Sequence, residues 1–249
     1  MSAPVLVVEG LRKSFDGLQA VDGVTFSVAA GELVALIGPN GAGKSTCFNL
    51  VNGQLVPDTG RVTFAGARID GMPPHRIARL GVGRMFQVAA TFASMTVREN
   101  VRLALLAHSG RTDSMAAAFA AQGDAEVDAL LARVGCADLA DAHCAALAYG
   151  NAKRVELALA LASRPRLLLM DEPTAGMARG SRGRLMRVAA DLARNDGIAV
   201  LFTEHDMDVV FGFADRVIVL DRGRIIAEDT PEGIRANPQV QEVYLGTNA

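Results

Sequence analysis

The chain has 249 residues, of which 50% are hydrophobic, 21% charged and 5% aromatic, a composition that excludes disordered and fibrous classes. Its formal net charge of −2 gives no electrostatic footprint for nucleic acid or anionic lipid. The longest apolar run, Met115 to Ala121, has seven residues, whereas a membrane-spanning helix needs about 20. The apolar stretch Val5 to Val8 is too short for a secretory signal. We therefore expect a cytosolic chain whose three cysteines, which lack CxxC spacing, are small buried hydrophobes.

The first third of the chain is predicted to consist mainly of strands. Pro4 to Leu11 and Val21 to Val28 are short, contain several β-branched residues and are bounded by glycine or aspartate. Leu33 to Ile37 is continuously apolar, which is typical of a strand buried on both faces. A glycine-rich turn and a helix that stops at Gly53 follow, and Arg61 to Phe64 is predicted to be another strand.

The middle of the chain is predicted to be helical, because helix formers, above all alanine, dominate from about Thr96 to Arg164. Asp124 to Val134 is the clearest helix, with apolar residues at i, i+3, i+4 and i+7 and Gly135 at the C-cap position. Ser109 to Gln122 is predicted to be a surface loop or a weak helix.

Strands and helices alternate again in the last third. Its predicted elements are, in order, a strand at Leu167 to Met170, a helix at Ser181 to Arg194, a strand at Ile198 to Thr203, a hairpin of Val217 to Leu220 with Arg224 to Ala227, and two short helices that start at Thr230-Pro231 and Asn237-Pro238. The sequence thus predicts an α/β core interrupted by a helical insertion.

A phosphate-binding loop is predicted between the buried strand and the first helix. Residues Gly38 to Ser45, GPNGAGKS, match the pattern GxxxxGK[ST] in that strand–loop–helix context. Glycines let backbone N–H groups turn towards phosphate oxygens, and the helix N-terminus favours an anion. Lys44 would reach the β- and γ-phosphates, and the Ser45 hydroxyl would ligate Mg²⁺. The residues predicted to bind phosphate are Gly38, Pro39, Asn40, Gly41, Ala42, Gly43, Lys44, Ser45 and Thr46.

Two acids, Asp171 and Glu172, follow the apolar strand that begins at Leu167. The carboxyl ends of such strands are where α/β proteins bind ligands, and a phosphate loop is already predicted there. Asp171 is predicted to hold Mg²⁺, directly or through water, and Glu172 to act as general base towards the attacking water. Together the two motifs predict a P-loop nucleotide hydrolase.

Further short motifs occur in a fixed order along the chain. Leu147 to Arg154, LAYGNAKR, precedes a helix, Gln87 follows Phe86, His205 follows a strand, and Phe15 lies upstream of the loop. Taken singly, each is most simply a core or solvated residue. As an ordered set, they resemble the signature motif, Q-loop glutamine, switch histidine and adenine-stacking aromatic of ATP-binding-cassette (ABC) ATPases.

This resemblance runs along nearly the whole chain and implies one ABC ATPase cassette over residues 1–249. It implies a core lobe at approximately 1–90 and 165–249, with a parallel sheet and an antiparallel β edge, and a helical subdomain at approximately 91–164. It also implies ATP and Mg²⁺ as ligands, with Ser45, Gln87 and Asp171 around the metal and Phe15 stacked on adenine. The catalytic residues that it implies are Glu172, His205, Lys44 and Gln87, and those facing the nucleotide of a second cassette are Ala148, Tyr149, Gly150 and Asn151.

Two positions depart from the commonest signature form, LSGGQ: Ala148 replaces the serine and Asn151 the glutamine. The missing hydroxyl removes one charge-assisted hydrogen bond, generally worth about 1.5–3 kcal/mol. Backbone N–H groups at Gly150 and in the first turn of the following helix can still bind phosphate. We expect Ala148 to weaken catalysis without abolishing it.

Several stretches are similar to the branched-chain (hydrophobic) amino acid uptake type of ABC ATPase. They are Phe86-Gln87 leading into Met95 to Asn100, Thr203 to Met207 around the histidine, and Val243 to Gly246 in the tail. This resemblance implies a cytoplasmic subunit, peripheral on the inner face of the cell membrane, that powers import through integral permease subunits docked near Gln87 to Asn100. The other implied partners are a second ATPase subunit, in a homo- or heterodimer, and indirectly a periplasmic binding protein, without nucleic acid.

Other assignments stay open from the sequence. Urea, amides and aromatic acids are alternative cargoes, and lipopolysaccharide export is an alternative direction. A non-transport ABC ATPase and a catalytically weak regulatory cassette are further alternatives, the last suggested by Ala148 and Asn151.

Overall fold

The computed structural model describes residues 4–86, 91–109 and 124–245. Its strands are β1 Pro4–Phe15, β2 Leu18–Ala29, β3 Leu33–Ile37, β4 Thr59–Phe64, β5 Ala67–Arg68, β6 Val82–Met85, β7 Leu167–Asp171, β8 Ala199–Thr203, β9 Arg216–Asp221 and β10 Arg224–Asp229. Its α-helices are α1 Lys44–Val51, α2 Pro74–Arg79, α3 Val97–Ser109, α4 Asp124–Arg133, α5 Tyr149–Leu161, α6 Arg179–Asp196, α7 Met207–Phe213, α8 Pro231–Ala236 and α9 Pro238–Val240. Short 3₁₀ turns lie at Ala137–Leu139 and Cys144–Ala146, and a π-helical turn at Gln241–Leu245.

A six-stranded sheet in the order β10-β9-β3-β8-β7-β6 forms the centre of the fold. Strands β9, β3, β8, β7 and β6 are parallel neighbours, whereas β10 runs antiparallel to β9. All residues of β3 and β8 are buried, which explains why these segments are almost continuously apolar. Because the strands are parallel, the segments that follow β3, β7 and β8 all leave the sheet at the same edge.

A second, antiparallel sheet in the order β2-β1-β4-β5 covers one face of the parallel sheet. Alternate residues of β3 show this arrangement: Val34 and Leu36 belong to the hydrophobic cluster beneath the antiparallel sheet, and Leu33, Ala35 and Ile37 to the cluster on the other face. The predicted parallel core with an antiparallel β edge is therefore observed.

Helices α3, α4 and α5 form the predicted helical insertion. Val97, Val127 and Val155, one from each helix, belong to the same buried cluster as the helix-facing side of the parallel sheet. Helix α4 ends as predicted, with Gly135 in the left-handed region at φ 66°. The division into lobes at residues 90/91 and 164/165 stays a prediction, and of the segment Ser109 to Gln122 all but the end of α3 lies outside the described residues.

Strands β1 and β2 extend further than predicted. The sequence placed their ends at Leu11 and Val21, but pairing continues to Phe15 and Leu18 through a tight turn at Asp16 and Gly17. Polar and charged residues are tolerated at this end of the hairpin, because backbone groups make the pairing and one face of the strands is solvated. Strand β6 and helices α2 and α7 lacked a sequence signal strong enough to predict them.

The two capped helices near the end of the described chain are confirmed. The Thr230 hydroxyl accepts a hydrogen bond from the Gly233 N–H at 3.2 Å, and Asn237 Oδ1 accepts from the Gln239 N–H at 2.9 Å. Among the described helices, none has the length and apolarity that a membrane span requires.

The three cysteines are free and buried, as predicted. Burial raises the pKa of the Cys47 thiol to about 12 and also raises the pKa of Cys136 and Cys144. We expect native protein at pH 8 to resist Ellman's reagent for minutes, because thiolate is the reactive form. All three thiols should react once guanidinium unfolds the chain, and rapid titration of one thiol in native buffer would contradict the buried placement.

Candidate nucleotide-binding site

The loop between β3 and α1 contains three glycines with positive φ angles, and at two of them neighbouring backbone leaves no room for a side chain. Gly38 and Gly43 have φ angles of 148° and 103°. A Cβ atom on Gly38 would lie 2.1 Å from the Leu220 carbonyl oxygen, and one on Gly43 would lie 2.3 Å from the Ala20 carbonyl oxygen. The loop is therefore held tightly against neighbouring backbone on its outer side, which fixes the position of its inner side.

Helix α1 begins at Lys44 with Gly43 as its N-cap, and no side chain caps its first turn. Uncapped N–H groups and the helix dipole make this terminus an anion site. The Lys44 side chain is folded over the loop, and its Nζ donates to the carbonyl oxygens of Gly38 at 2.7 Å and Pro39 at 3.0 Å. Burial lowers the pKa of Lys44, and the nearby carboxylates of Glu172 and Asp171 oppose that shift.

The phosphate loop, with Lys44, shares one cavity of about 200 Å³ with Glu172 and His205. His205 Nε2 lies 2.8 Å from Glu172 Oε1 across this space. The structure thus brings together residues that are 161 positions apart in sequence, from Lys44 to His205. The lining residues are Ala20, Asn40, Gly41, Ala42, Gly43, Lys44, Ser45, Thr46, Glu172 and His205.

Thr203, the last residue of β8, connects the two acids and was missed by the sequence analysis. Its buried hydroxyl donates to Asp171 Oδ1 at 2.8 Å and accepts from the Glu172 N–H at 2.9 Å. Glu172 has a φ angle of 46°, a left-handed backbone conformation that is unfavourable for a non-glycine residue. Thr203 therefore holds both carboxyl-bearing residues at the turn where β7 ends.

Glu204 is a second residue that sequence reasoning missed. Its carboxylate is buried, and one oxygen accepts from both the N–H and the hydroxyl of Thr174, at 2.8 and 2.7 Å. This contact fixes the segment after Glu172 to the residue next to His205. A lone acid beside a histidine carries no sequence signal for such a role.

The signature residues begin helix α5, away from the phosphate-loop cavity. Ala148 is the N-cap and makes no side-chain capping bond, and Asn151 Oδ1 accepts from Arg154 Nη2 at 2.8 Å. A Cβ atom on Gly150 would lie 3.0 Å from the Ser181 Cβ, so the turn is packed closely on the start of α6. Within the described chain, none of Ala148, Tyr149, Gly150 and Asn151 lines the cavity.

Phe15, predicted to contact adenine, is not among the residues that line the cavity. Phe15 is 42% exposed at the β1–β2 hairpin, with the Lys13 ammonium 5.6 Å from its ring centroid. Gln87 lies outside the described residues. Their proposed contacts with adenine and with the metal remain predictions.

The donor set at the loop fits a magnesium-bound nucleotide. Ser45 provides a hydroxyl in the cavity, and Asp171 provides a carboxylate at the end of β7. Oxygen donors of this kind suit Mg²⁺, which is usually held by one or two protein ligands and by phosphate oxygens. Among the described residues, no group of three or more histidine, cysteine, aspartate or glutamate side chains is placed so that it could hold a metal ion.

Comparison with known proteins defines the class first. A family model described as ABC transporter matches residues 21–175, which is more than half of the chain, and the chain belongs to that family. It is thus an ABC-type ATPase, and the predicted class and fold are confirmed. A second family model, described as branched-chain amino acid ATP-binding cassette transporter, matches residues 224–249.

Two relatives and one solved structure are similar to this chain over nearly its whole length. The chain is 39% identical to the high-affinity branched-chain amino acid transport ATP-binding protein BraF of Pseudomonas aeruginosa, over 99% of both chains. It is 38% identical to LivG, described in the same words, of Escherichia coli K12, again over 99% of both. The crystal structure of the ADP conformation of MJ1267, an ATP-binding cassette of an ABC transporter, superposes with a TM-score of 0.85 at 31% identity, covering 98% of this chain and all of that one.

The role of Thr203 can be tested with Thr203→Val. The Glu172 N–H would lose its acceptor, which costs about 1–3 kcal/mol and should lower Tm by roughly 2–10 °C. We also expect kcat to fall while ATP affinity stays within about twofold, because the loop itself is untouched. Thr63→Val, the same chemical change on β4, is the matched control, and equal Tm and kcat in the two variants would refute the role.

Proposed function

We propose that the chain is the ATP-hydrolysing subunit of an importer for branched-chain amino acids or related small molecules, working through separate permease subunits. The observation that carries this proposal is the meeting of the phosphate loop with the Glu172–His205 pair in one cavity. The likeness to BraF and LivG and the match of residues 224–249 support the cargo class and disfavour lipopolysaccharide export.

In this proposal each residue at the cavity has one chemical task. The loop N–H groups and the first turn of α1 bind the β- and γ-phosphates, and Lys44 moves from the carbonyls of Gly38 and Pro39 to the phosphate oxygens. Glu172 accepts the proton of the attacking water. His205, 2.8 Å from the Glu172 carboxylate, orients that group and contacts the γ-phosphate.

Mg²⁺ would neutralise charge on the phosphate oxygens when it is bound with ATP. Ser45 and Asp171 would hold it, with Gln87 completing the environment. Asp171 is kept in place by the Thr203 hydroxyl and by Arg84, whose Nη2 lies 3.6 Å from Asp171 Oδ2. Phe15, exposed at the hairpin, would stack on adenine.

A second cassette is needed to complete the site. The first turn of α5 has no side-chain cap and would present the Gly150 N–H to a phosphate, but none of Ala148 to Asn151 lines its own chain's cavity. Head-to-tail pairing would place this turn over the γ-phosphate held by the other subunit. The second subunit would be a further copy or a related cassette.

The permease subunits would dock at a groove beside β6. Its cavity of about 240 Å³ is lined mostly by apolar side chains, including Ile77, Val82 and Phe86, and Phe86 is 41% exposed. Docking of permease segments here would hold the chain on the inner face of the membrane, and a periplasmic binding protein would deliver cargo to the permease. Phe86 directly precedes the segment Gln87 to Asn100, near which docking is predicted.

Glu172→Gln tests the catalytic core of the proposal. General-base catalysis contributes about 10²–10⁴-fold, so kcat should fall at least about 100-fold. ATP binding should persist, and size-exclusion chromatography with ATP should show a dimer, because bound ATP is no longer consumed. Glu232→Gln, a change on the exposed start of α8, should behave as wild type, whereas near-normal turnover in Glu172→Gln would exclude the general-base role.

A further inference from the structure

Helix α5 contains a buried ion pair that the nucleotide site does not use. Lys153 is 0% exposed and Glu156 is 3% exposed, and Lys153 Nζ lies 3.0 Å from Glu156 Oε2. Burial raises the pKa of Glu156, and the charge of Lys153 opposes that shift. Removing two charges from water is unfavourable unless further hydrogen bonds compensate the lost hydration.

Both charged groups bind the backbone of one residue, Phe86. Lys153 Nζ donates to the Phe86 carbonyl oxygen at 2.5 Å, and the Phe86 N–H donates to Glu156 Oε1 at 2.7 Å. The pair is thus matched to Phe86 by polarity: the ammonium meets the acceptor and the carboxylate meets the donor. Two side chains of one helix thereby fix a backbone unit that lies 67 and 70 positions earlier in the chain.

Phe86 lies next to the end of β6, the Arg84 side chain and the apolar groove beside β6. It directly follows Met85, the last residue of β6, which pairs with Met170, the neighbour of Asp171. Its ring lies 4.8 Å from the Arg84 guanidinium and lines the apolar groove. Arg84 in turn lies beside Asp171.

The other end of the connection is the signature turn. Lys153 lies five residues after Ala148 and two after Asn151, on the same helix. A helix is stiff over this distance, so fixing Lys153 and Glu156 to Phe86 also fixes the direction of the signature turn. We propose that Lys153 and Glu156 are positioning residues that fix the signature turn relative to the end of β6, and so control productive pairing of two cassettes without contributing to nucleotide binding within one chain.

This inference rests on the proposed function, because it assigns the signature turn a partner nucleotide. It explains why a charged pair, and not two apolar residues, occupies the site: apolar side chains would leave the Phe86 N–H and carbonyl without these partners. It also makes the groove-lining residue Phe86 part of the same rigid unit as the signature turn.

The test compares two double variants of the full chain. Lys153→Met with Glu156→Leu removes the hydrogen bonds with apolar residues of similar size. Lys153→Glu with Glu156→Lys keeps opposite charges but reverses their polarity towards Phe86. Arg164→Gln with Glu126→Gln, which removes an exposed ion pair, is the matched control.

Three quantities are measured for each protein: Tm, the Kd for a fluorescent ATP analogue, and ATPase activity over a protein dilution series. For both double variants of Lys153 and Glu156 we expect a nucleotide Kd within twofold of wild type and a kcat at least tenfold lower. The protein concentration at which specific activity is half-maximal should be at least tenfold higher. In the reversed pair, position 153 carries a carboxylate, which cannot donate a hydrogen bond to the Phe86 carbonyl. This variant should therefore not restore activity. The exposed-pair control should match wild type in all three.

Several results would overturn the inference. A wild-type kcat in the folded apolar variant, Lys153→Met with Glu156→Leu, would do so. A wild-type kcat in the reversed pair would also do so, since it would show that any ion pair at these positions is sufficient. Loss of nucleotide binding and folding in both variants, and also in the milder Glu156→Gln, would assign the pair to general stability. If the wild-type chain itself shows activity that is strictly proportional to concentration, the proposed function fails instead, independently of these variants.

Discussion

The parallel pairing of β3, β7 and β8 is the constraint on which the rest of the structure depends. It brings three strand ends to one edge of the sheet. The phosphate loop follows the first, Asp171 and Glu172 end the second, and Thr203 ends the third. Apart from Asp171 at the end of β7, every residue of these strands is buried, and the strands lie between two hydrophobic clusters, so burial of apolar surface supports this alignment. Chemistry that needs a phosphate-binding loop and an acid at a fixed separation is thereby built on the buried centre of the fold.

Buried polar side chains hold the segments that leave the edge of the sheet. Thr203 joins the two acids, Glu204 fixes Thr174, and Lys153 with Glu156 holds Phe86. Each of these groups satisfies backbone or side-chain partners in a segment distant in sequence, which is the condition under which burying polarity is tolerated. Specific hydrogen bonds thus help to fix the irregular segments that leave the sheet.

The sequence was most informative where the functional residues are adjacent in the chain. The phosphate loop and the acidic pair are short contiguous patterns after apolar strands, so both their conformation and their meeting could be predicted. Thr203, Glu204 and Lys153 could not be assigned, because their partners lie about 30 to 70 positions away and nothing local in the chain indicates such contacts. The extent of the first hairpin was underestimated for a related reason: its last pairs depend on backbone hydrogen bonds that polar side chains do not reveal.

We propose that one chain holds only part of a working site. Its loop cavity contains Lys44, Glu172 and His205, whereas its signature turn at the start of α5 lies elsewhere. The most direct measurement is the specific ATPase activity of the purified chain over a wide range of protein concentration. We predict that specific activity rises with concentration towards a plateau, because pairing of cassettes precedes hydrolysis. A specific activity that is constant over the whole range would contradict the claim.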